Sequence, residues 1–349
     1  MALTPGKTWG LRRLSDDGRR FAMVAIDQRP PIRGLIEERL GPGAATFERI
    51  GAFKRLLAEH LAPHTTAMLA DPYYAYPAAI DRISPRQGLI VTLEDSVFEE
   101  TAGGRLSKAI DGWSVAKIRR LGGDAVKVLA WYRPDAGAEV VARQQAFVRD
   151  IGAACREHDI PFVLELLVYP LPGEAGNGGA YAEDPAKRPA AVVESLETFA
   201  DPAYGVDLFK LESPVLAADV PEPDSRDAAA TQAWFDRLGA ACPVPWVMLS
   251  AGCPPEAFER VLTYAYRAGA SGYLAGRAIW SEAGAAYPDE AAMGRALAGA
   301  SVDYMRRINA LTRHAARPWT DAGGGIRDLR PADAAEPGFN LRYGEARPT

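Results

Sequence analysis

Eight short, almost unbroken apolar runs recur along this chain, and between them lie segments with the spacing of amphipathic helices. The runs are Phe21–Ile26, Ala67–Leu69, Leu89–Leu93, Ala125–Leu129, Phe162–Leu167, Val206–Leu211, Trp246–Leu249 and Tyr273–Ala275. A run that is apolar at successive positions, not at alternate ones, belongs to a strand covered on both faces, which is the situation of a parallel sheet. The intervening segments carry one apolar face: Ile50, Phe53, Leu56 and Leu57 within Phe47 to His60, and Val141, Phe147, Ile151 and Ala154 within Val140 to His158. Pro189 to Phe199, Ala228 to Leu238, Pro255 to Ala268 and Glu290 to Leu311 read as further helices, two of them with proline in the first turn. Eight strands in regular alternation with helices predict an α/β fold of the (β/α)8 TIM-barrel type, and the glycine fingerprint of an open dinucleotide-binding sheet is absent. The barrel is expected over residues 1–317. The Gly-, Pro- and charge-rich residues 318–349 read as a C-terminal tail, packed on the barrel or partly disordered.

Two connections exceed the usual barrel lengths, Glu94 to Trp113 and Tyr169 to Arg188. Both follow strands and so fall on the catalytic face, where each is either a lid or a simple insertion. Several function classes are disfavoured by composition. A net charge of −5 argues against a nucleic-acid binder, and no apolar run is long enough to span a bilayer. Met1 to Arg13 lacks the apolar core of a signal peptide, so a cytoplasmic protein is expected. Cys155, Cys242 and Cys253 are too few and too scattered for a disulfide framework or a zinc cluster. His60 and His64 have the spacing of a helical ligand pair, but Pro63 interrupts the helix, and neither a metal nor a cofactor is expected.

Lysine usage is the more telling signal. Only seven of the 40 basic residues are lysine, and two of these, Lys127 and Lys210, lie inside apolar strands, as does Glu165. Arginine cannot provide a neutral amine near neutral pH, whereas a desolvated lysine can. An amine nucleophile starts from a reference pKa of about 10.4, so bringing it near 7 takes roughly 4 to 5 kcal/mol of destabilisation of the ammonium. Burial and a second ammonium, such as Lys127, can supply that, with Glu165 carrying protons. The alternative is a buried Lys–Glu pair that only stabilises the barrel. A second constellation follows the last two strands. Ser250, Gly252 and Gly276 allow a phosphate to approach the backbone, and Arg277 adds a bidentate cation.

The residues that carry these features also form a series of motifs: Ala25-Ile26-Asp27-Gln28-Arg29, Met68-Leu69-Ala70-Asp71-Pro72, Trp113-Ser114 through Gly123-Asp124-Ala125-Val126-Lys127, Ile160 to Glu165, Val206 to Glu212, Leu249-Ser250-Ala251-Gly252 and Gly276-Arg277-Ala278. In this order, over roughly residues 1–315, the chain resembles the class I tagatose 1,6-bisphosphate aldolases and their relatives, the sulfofructose-1-phosphate aldolases. The resemblance implies that Lys210 is the Schiff-base lysine and Glu165 the proton-transfer residue. It also implies that Lys127, Asp27 and Gln28 contact substrate or nucleophile, and that Ser250, Gly252, Gly276 and Arg277 hold the phosphate on carbon 1. Arg29, with Arg33, is either a ligand for an anion on carbon 6 or part of a solvated pair.

The expected function is therefore reversible retro-aldol cleavage of a ketose 1-phosphate or 1,6-bisphosphate to dihydroxyacetone phosphate and an aldehyde, in a possible homo-oligomer. The Tyr169–Pro172 segment and the tail differ from the tagatose enzymes, and the run Gly269 to Ala278 is closer to the sulfosugar relatives. An aldolase or transaldolase for a sulfonated ketose is thus the alternative within the enzymes. Outside them, the alternative is a non-catalytic sugar-phosphate-binding barrel.

Overall fold

The structure, a computed structural model, describes residues 3–174, 189–324 and 338–343. All eight expected strands are present: β1 (Phe21–Ala25), β2 (Ala67–Ala70), β3 (Gly88–Thr92), β4 (Ala125–Trp131), β5 (Phe162–Leu167), β6 (Leu208–Leu211), β7 (Trp246–Met248) and β8 (Gly272–Ala275). They pair in parallel, each with its neighbours in sequence, and β8 closes on β1 to complete the barrel.

Because side chains alternate along a strand, each run divides into two sets. Outward residues such as Ala22, Val24, Val126, Val128, Phe162, Leu164 and Phe209 merge with the helices into the main apolar core. Inward residues (Phe21, Met23, Ala25, Leu69, Ile90, Ala125, Val163, Leu208, Val247 and Leu274) form a separate cluster inside the barrel. This is the double burial that makes both parities apolar. The floor is closed by α1 (Pro5–Leu14), which contributes Leu11 and Leu14, and by Trp319, whose indole donates to Ser15 Oγ at 3.0 Å. The first turn of α1 is capped from across the barrel, with Gly6 N and Lys7 N donating to the Asp159 carboxylate at 2.7 and 3.3 Å.

Several boundaries differ from the sequence reading. β4 runs two residues further than expected, to Trp131, because its upper end stays paired with β5 as far as Leu167. The helix expected from Glu290 to Leu311 consists of Glu290–Ala296, a π turn at Leu297–Ser301, and Val302–Ala315. The first long connection contains an antiparallel hairpin, Glu99–Thr101 with Gly104–Leu106. Residues 175–188 of the second long connection, and most of the tail, lie outside the described residues. No helix among the described residues is long and apolar enough to cross a membrane.

Candidate active site

The inward parity that builds the barrel core continues upward into charge. From Met23 and Ala25 it reaches Asp27, from Ala125 it reaches Lys127, from Val163 it reaches Glu165, and from Leu208 it reaches Lys210. Glu165 pairs directly with Lys210 across β5 and β6, and Lys127 with Thr92 across β4 and β3. One layer of the barrel thus exchanges apolar side chains for titratable ones, at the C-terminal side where barrel sites form.

Within that layer Glu165 bridges two amines. Its Oε1 lies 2.9 Å from Lys210 Nζ and its Oε2 lies 2.8 Å from Lys127 Nζ. Lys127 also donates to Glu94 Oε1 at 2.6 Å and to Asp27 Oδ2 at 3.0 Å, and Thr92 Oγ1 donates to the same Asp27 oxygen at 3.2 Å. All four of these titratable residues and Lys210 are buried. Sequence reasoning expected Lys127 to face Lys210 as a second ammonium; in the structure a carboxylate stands between them, and the charge of Lys127 is balanced by three acids. Glu94 was legible as a strand-end residue, but its place beside Lys127 was not, since it depends on how the loop after β3 folds back.

The carboxylates answer to competing effects. Burial would raise the Glu165 carboxyl, but Lys127 and Lys210 outweigh it and hold the group below the ordinary range. Burial likewise opposes ionisation of Asp27, and Lys127, Lys210 and Arg29 overcome it, leaving the carboxyl well below the usual value. For Glu94 burial wins over Lys127 and Arg29, and its carboxyl is raised. Depressed carboxyls add stability above their unfolded pKa values, and that stability is lost as pH falls through the folded ones. In a pH profile of kcat/KM, the acidic limb set by Glu165 is therefore expected below 4.5, the unperturbed value for Glu. A limb centred above that value would mean that Glu165 does not work as the ionised base.

A second buried pair supports the first. Lys54 reaches in from helix Phe47–Leu61, forms an ion pair with Asp71 and donates to Ile26 O at 2.9 Å, the carbonyl just before Asp27. Asp71 in turn accepts from the backbone of Tyr73 and Tyr74 at 3.0 and 2.8 Å, which shapes the turn after β2. Among the described residues no group of three or more His, Cys, Asp or Glu side chains is arranged to hold a metal ion.

Above this layer opens a cavity. Nine of the ten expected site residues line it: Asp27, Gln28, Arg29, Lys127, Glu165, Lys210, Ser250, Gly276 and Arg277. The tenth, Gly252, is exposed at the rim, where a Cβ would come within 2.9 Å of the Arg277 guanidinium carbon. Sequence reasoning did not select Trp131, Leu167 and Leu249, which supply an apolar wall; the inward parity of their strands could have found them. Gln28 Oε1 is buried and has no hydrogen-bond partner among the described residues. Arg29 lines the cavity and donates to Glu94 O at 3.0 Å, whereas Arg33 is half exposed and reaches Tyr74 and Glu37.

The other end of the cavity suits an anion. Ala251 and Gly252 both have positive φ, 47° and 87°, which curls the backbone after β7 into a concave turn closed by Cys253 N donating to Ser250 O at 2.9 Å. Beside it, Gly276 precedes helix Arg277–Gly284 and lies so close to β1 that a Cβ would be 2.6 Å from Ala25 O and 2.7 Å from Gln28 Nε2. A helix N-terminus and the Arg277 guanidinium thus meet at one point. If they hold the substrate phosphate, Arg277→Ala should raise KM about 10- to 100-fold, the worth of a hydrogen bond to a charged group, with kcat little changed. Steady-state kinetics would show it, and an unchanged KM would remove Arg277 from the site.

The family model described as DeoC/LacD family aldolase matches residues 21–282. The tagatose 1,6-diphosphate aldolase of Listeria monocytogenes serovar 1/2a is 33% identical over 335 residues, covering 94% of this chain and 97% of that protein. Tagatose 1,6-diphosphate aldolase 1 of Streptococcus mutans is 33% identical over 289 residues, covering 80% and 87%. Among solved structures, an archaeal fructose 1,6-bisphosphate aldolase superposes with a TM-score of 0.55 at 18% identity, covering 88% of this chain and 99% of that one, a likeness that speaks to the barrel alone.

Proposed function

The chain belongs to the DeoC/LacD family of aldolases, and we propose that it cleaves tagatose 1,6-bisphosphate, or a close ketose 1-phosphate, by a Schiff-base mechanism on Lys210. The observation that carries this reading is the buried bridge Lys210–Glu165–Lys127 facing a cavity with an anion-binding end. A barrel that only bound a sugar phosphate would have no need to bury two amines and three acids beneath its ligand, since desolvating charges costs several kcal/mol apiece.

The chemistry follows from the positions. With the carbon 1 phosphate at Ser250, Gly276 and Arg277, the carbon 2 carbonyl meets Lys210 Nζ. Lys210 passes a proton to Glu165 and its amine adds to that carbon, the oxygen takes up a proton and leaves as water, and an iminium remains. A base then removes the proton of the carbon 4 hydroxyl. The electrons of the carbon 3–carbon 4 bond move into an enamine, with the iminium nitrogen as their sink, and carbon 4 departs as an aldehyde. Protonation of the enamine at carbon 3 and hydrolysis by water release dihydroxyacetone phosphate and return the amine. Glu165, 2.9 Å from the amine and held ionised by two cations, is the group placed to take and return these protons. Lys127 keeps Asp27 and Glu165 in register, and Gln28 offers its buried Oε1 to a substrate hydroxyl.

The relatives named for tagatose 1,6-diphosphate favour this substrate over a sulfonated ketose. The deciding experiment is borohydride reduction in the presence of dihydroxyacetone phosphate, followed by peptide mapping. A stable adduct at Lys210 is expected, and an adduct elsewhere or none would sink the proposal. Cleavage assays with tagatose 1,6-bisphosphate, fructose 1,6-bisphosphate and a sulfonated ketose 1-phosphate side by side then rank the substrates.

A further inference from the structure

The geometry points to Arg105 as a positioning residue: it locks Trp131 as the fixed wall against which the aldehyde-side half of the substrate lies. This rests on the retro-aldol reading above.

The barrel order makes the argument. β4 is four strands from β8 in either direction around a ring of eight, so the two stand opposite each other. A ketose anchored by its phosphate after β7 and β8, and bonded at carbon 2 to Lys210 on β6, must run carbons 4 to 6 across the mouth, away from β8. The rim it meets there is Trp131, the last residue of β4, and Leu167, the last of β5, both of which line the cavity. Trp131 shares the inward parity of Lys127 and stands four residues beyond it, about 13 Å along the strand. It therefore borders the mouth and not the charged layer.

What holds that ring is the buried guanidinium of Arg105, only 4% exposed although it belongs to the hairpin of a long surface connection. Its Cζ lies 4.4, 4.9 and 5.0 Å from the ring centroids of Phe98, Trp131 and Tyr169. The rings also meet each other edge to face, Phe98 with Trp131 at 5.4 Å and Trp131 with Tyr169 at 6.2 Å. A planar cation inserted among three π faces fixes their orientations in a way that an aliphatic side chain would not. Arg105 does not itself line the catalytic cavity, whereas Trp131, against which it packs, does.

Hydrogen bonds fasten the hairpin to its surroundings. Arg105 N donates to Tyr169 Oη at 2.9 Å, Gly137 N to Gly103 O at 2.8 Å and Ser107 N to Gln144 Oε1 at 2.9 Å. Trp131 is gripped on both sides of its peptide, its N–H donating to Ser107 Oγ at 3.1 Å and its carbonyl accepting from Gln144 Nε2 at 2.7 Å. Over these residues the first long connection is tied to the barrel by hydrogen bonds.

The test compares substrates that do and do not reach the wall. Arg105→Met keeps the length and removes the charge. It is expected to raise KM for tagatose 1,6-bisphosphate about ten-fold, with kcat within about two-fold, while borohydride trapping with dihydroxyacetone phosphate, whose three carbons end before the wall, keeps the wild-type rate. Arg105→Lys, which retains a cation over the rings, should recover part of the loss. Trp131→Phe should raise the same KM, and the double variant should be no worse than the poorer single one, because both changes act through one contact. Additive effects, an unchanged KM in Arg105→Met, or a parallel loss of trapping would overturn the assignment. Should Arg105→Met fail to fold, Arg105→Lys and Trp131→Phe decide it by the same KM comparison. Failure of the wild-type protein to trap dihydroxyacetone phosphate would instead bring down the retro-aldol reading, and this inference with it.

Discussion

Lys210→Met is expected to lower cleavage by about 10⁴-fold or more, the scale seen when a covalent nucleophile is removed, and to abolish the borohydride adduct. Among the described residues the other lysine that lines the cavity is Lys127. Lys127 Nζ is held by Asp27, Glu94 and Glu165 and cannot approach a carbonyl without breaking three ionic contacts. The same variant should fold and keep most of its stability. Removing one member of a buried ion pair is severe when it strands the other, but Glu165 retains Lys127 at 2.8 Å. Activity and thermal midpoint are therefore expected to separate. A variant that lost both together would show Lys210 to be a structural cation, and one that kept activity would end the Schiff-base reading.

Glu165→Gln should behave differently, because it disturbs both amines at once. The change removes the carboxylate that joins Lys210 to Lys127 and the proton carrier for the enamine. A fall in kcat of about 10²- to 10⁴-fold is expected, the usual worth of a general acid–base. Lys210 remains in place, so slow trapping with borohydride should persist. The selective readout is exchange of the carbon 3 proton of dihydroxyacetone phosphate with deuterated water, followed by NMR, which isolates the enamine step from carbon–carbon cleavage. Exchange should slow in parallel with cleavage. Wild-type exchange in this variant would assign the proton transfer to another group, with Asp27 the nearest candidate through Lys127.

The legible parts of this protein were those governed by local periodicity. The runs from Phe21 to Tyr273 announced strands because both faces of each are buried, one against helices and one inside the barrel. Lys127, Glu165 and Lys210 stood out because charge interrupting such a run is costly unless it is used. The N-terminal helix Pro5–Leu14 was not read: its apolar contribution to the barrel floor comes from Leu11 and Leu14, while Trp9 is exposed and Lys7, Arg12 and Arg13 obscure the face. The hairpin around Arg105 was equally silent. Its strands are three residues each, and they are held by partners as distant as Gln144 and Tyr169.

By itself the sequence determined the barrel and the layer at which charge enters it, since both follow from side-chain parity and the cost of burying a charge. Only the tertiary structure decided who faces whom. It placed Glu165 between the two lysines, gave Lys127 three acids as neighbours, and turned a surface arginine inward to brace the cavity wall. The physical reason is range: parity and burial are properties of a few adjacent residues, whereas ion pairs and ring contacts are made between strands and loops that meet only when the barrel closes.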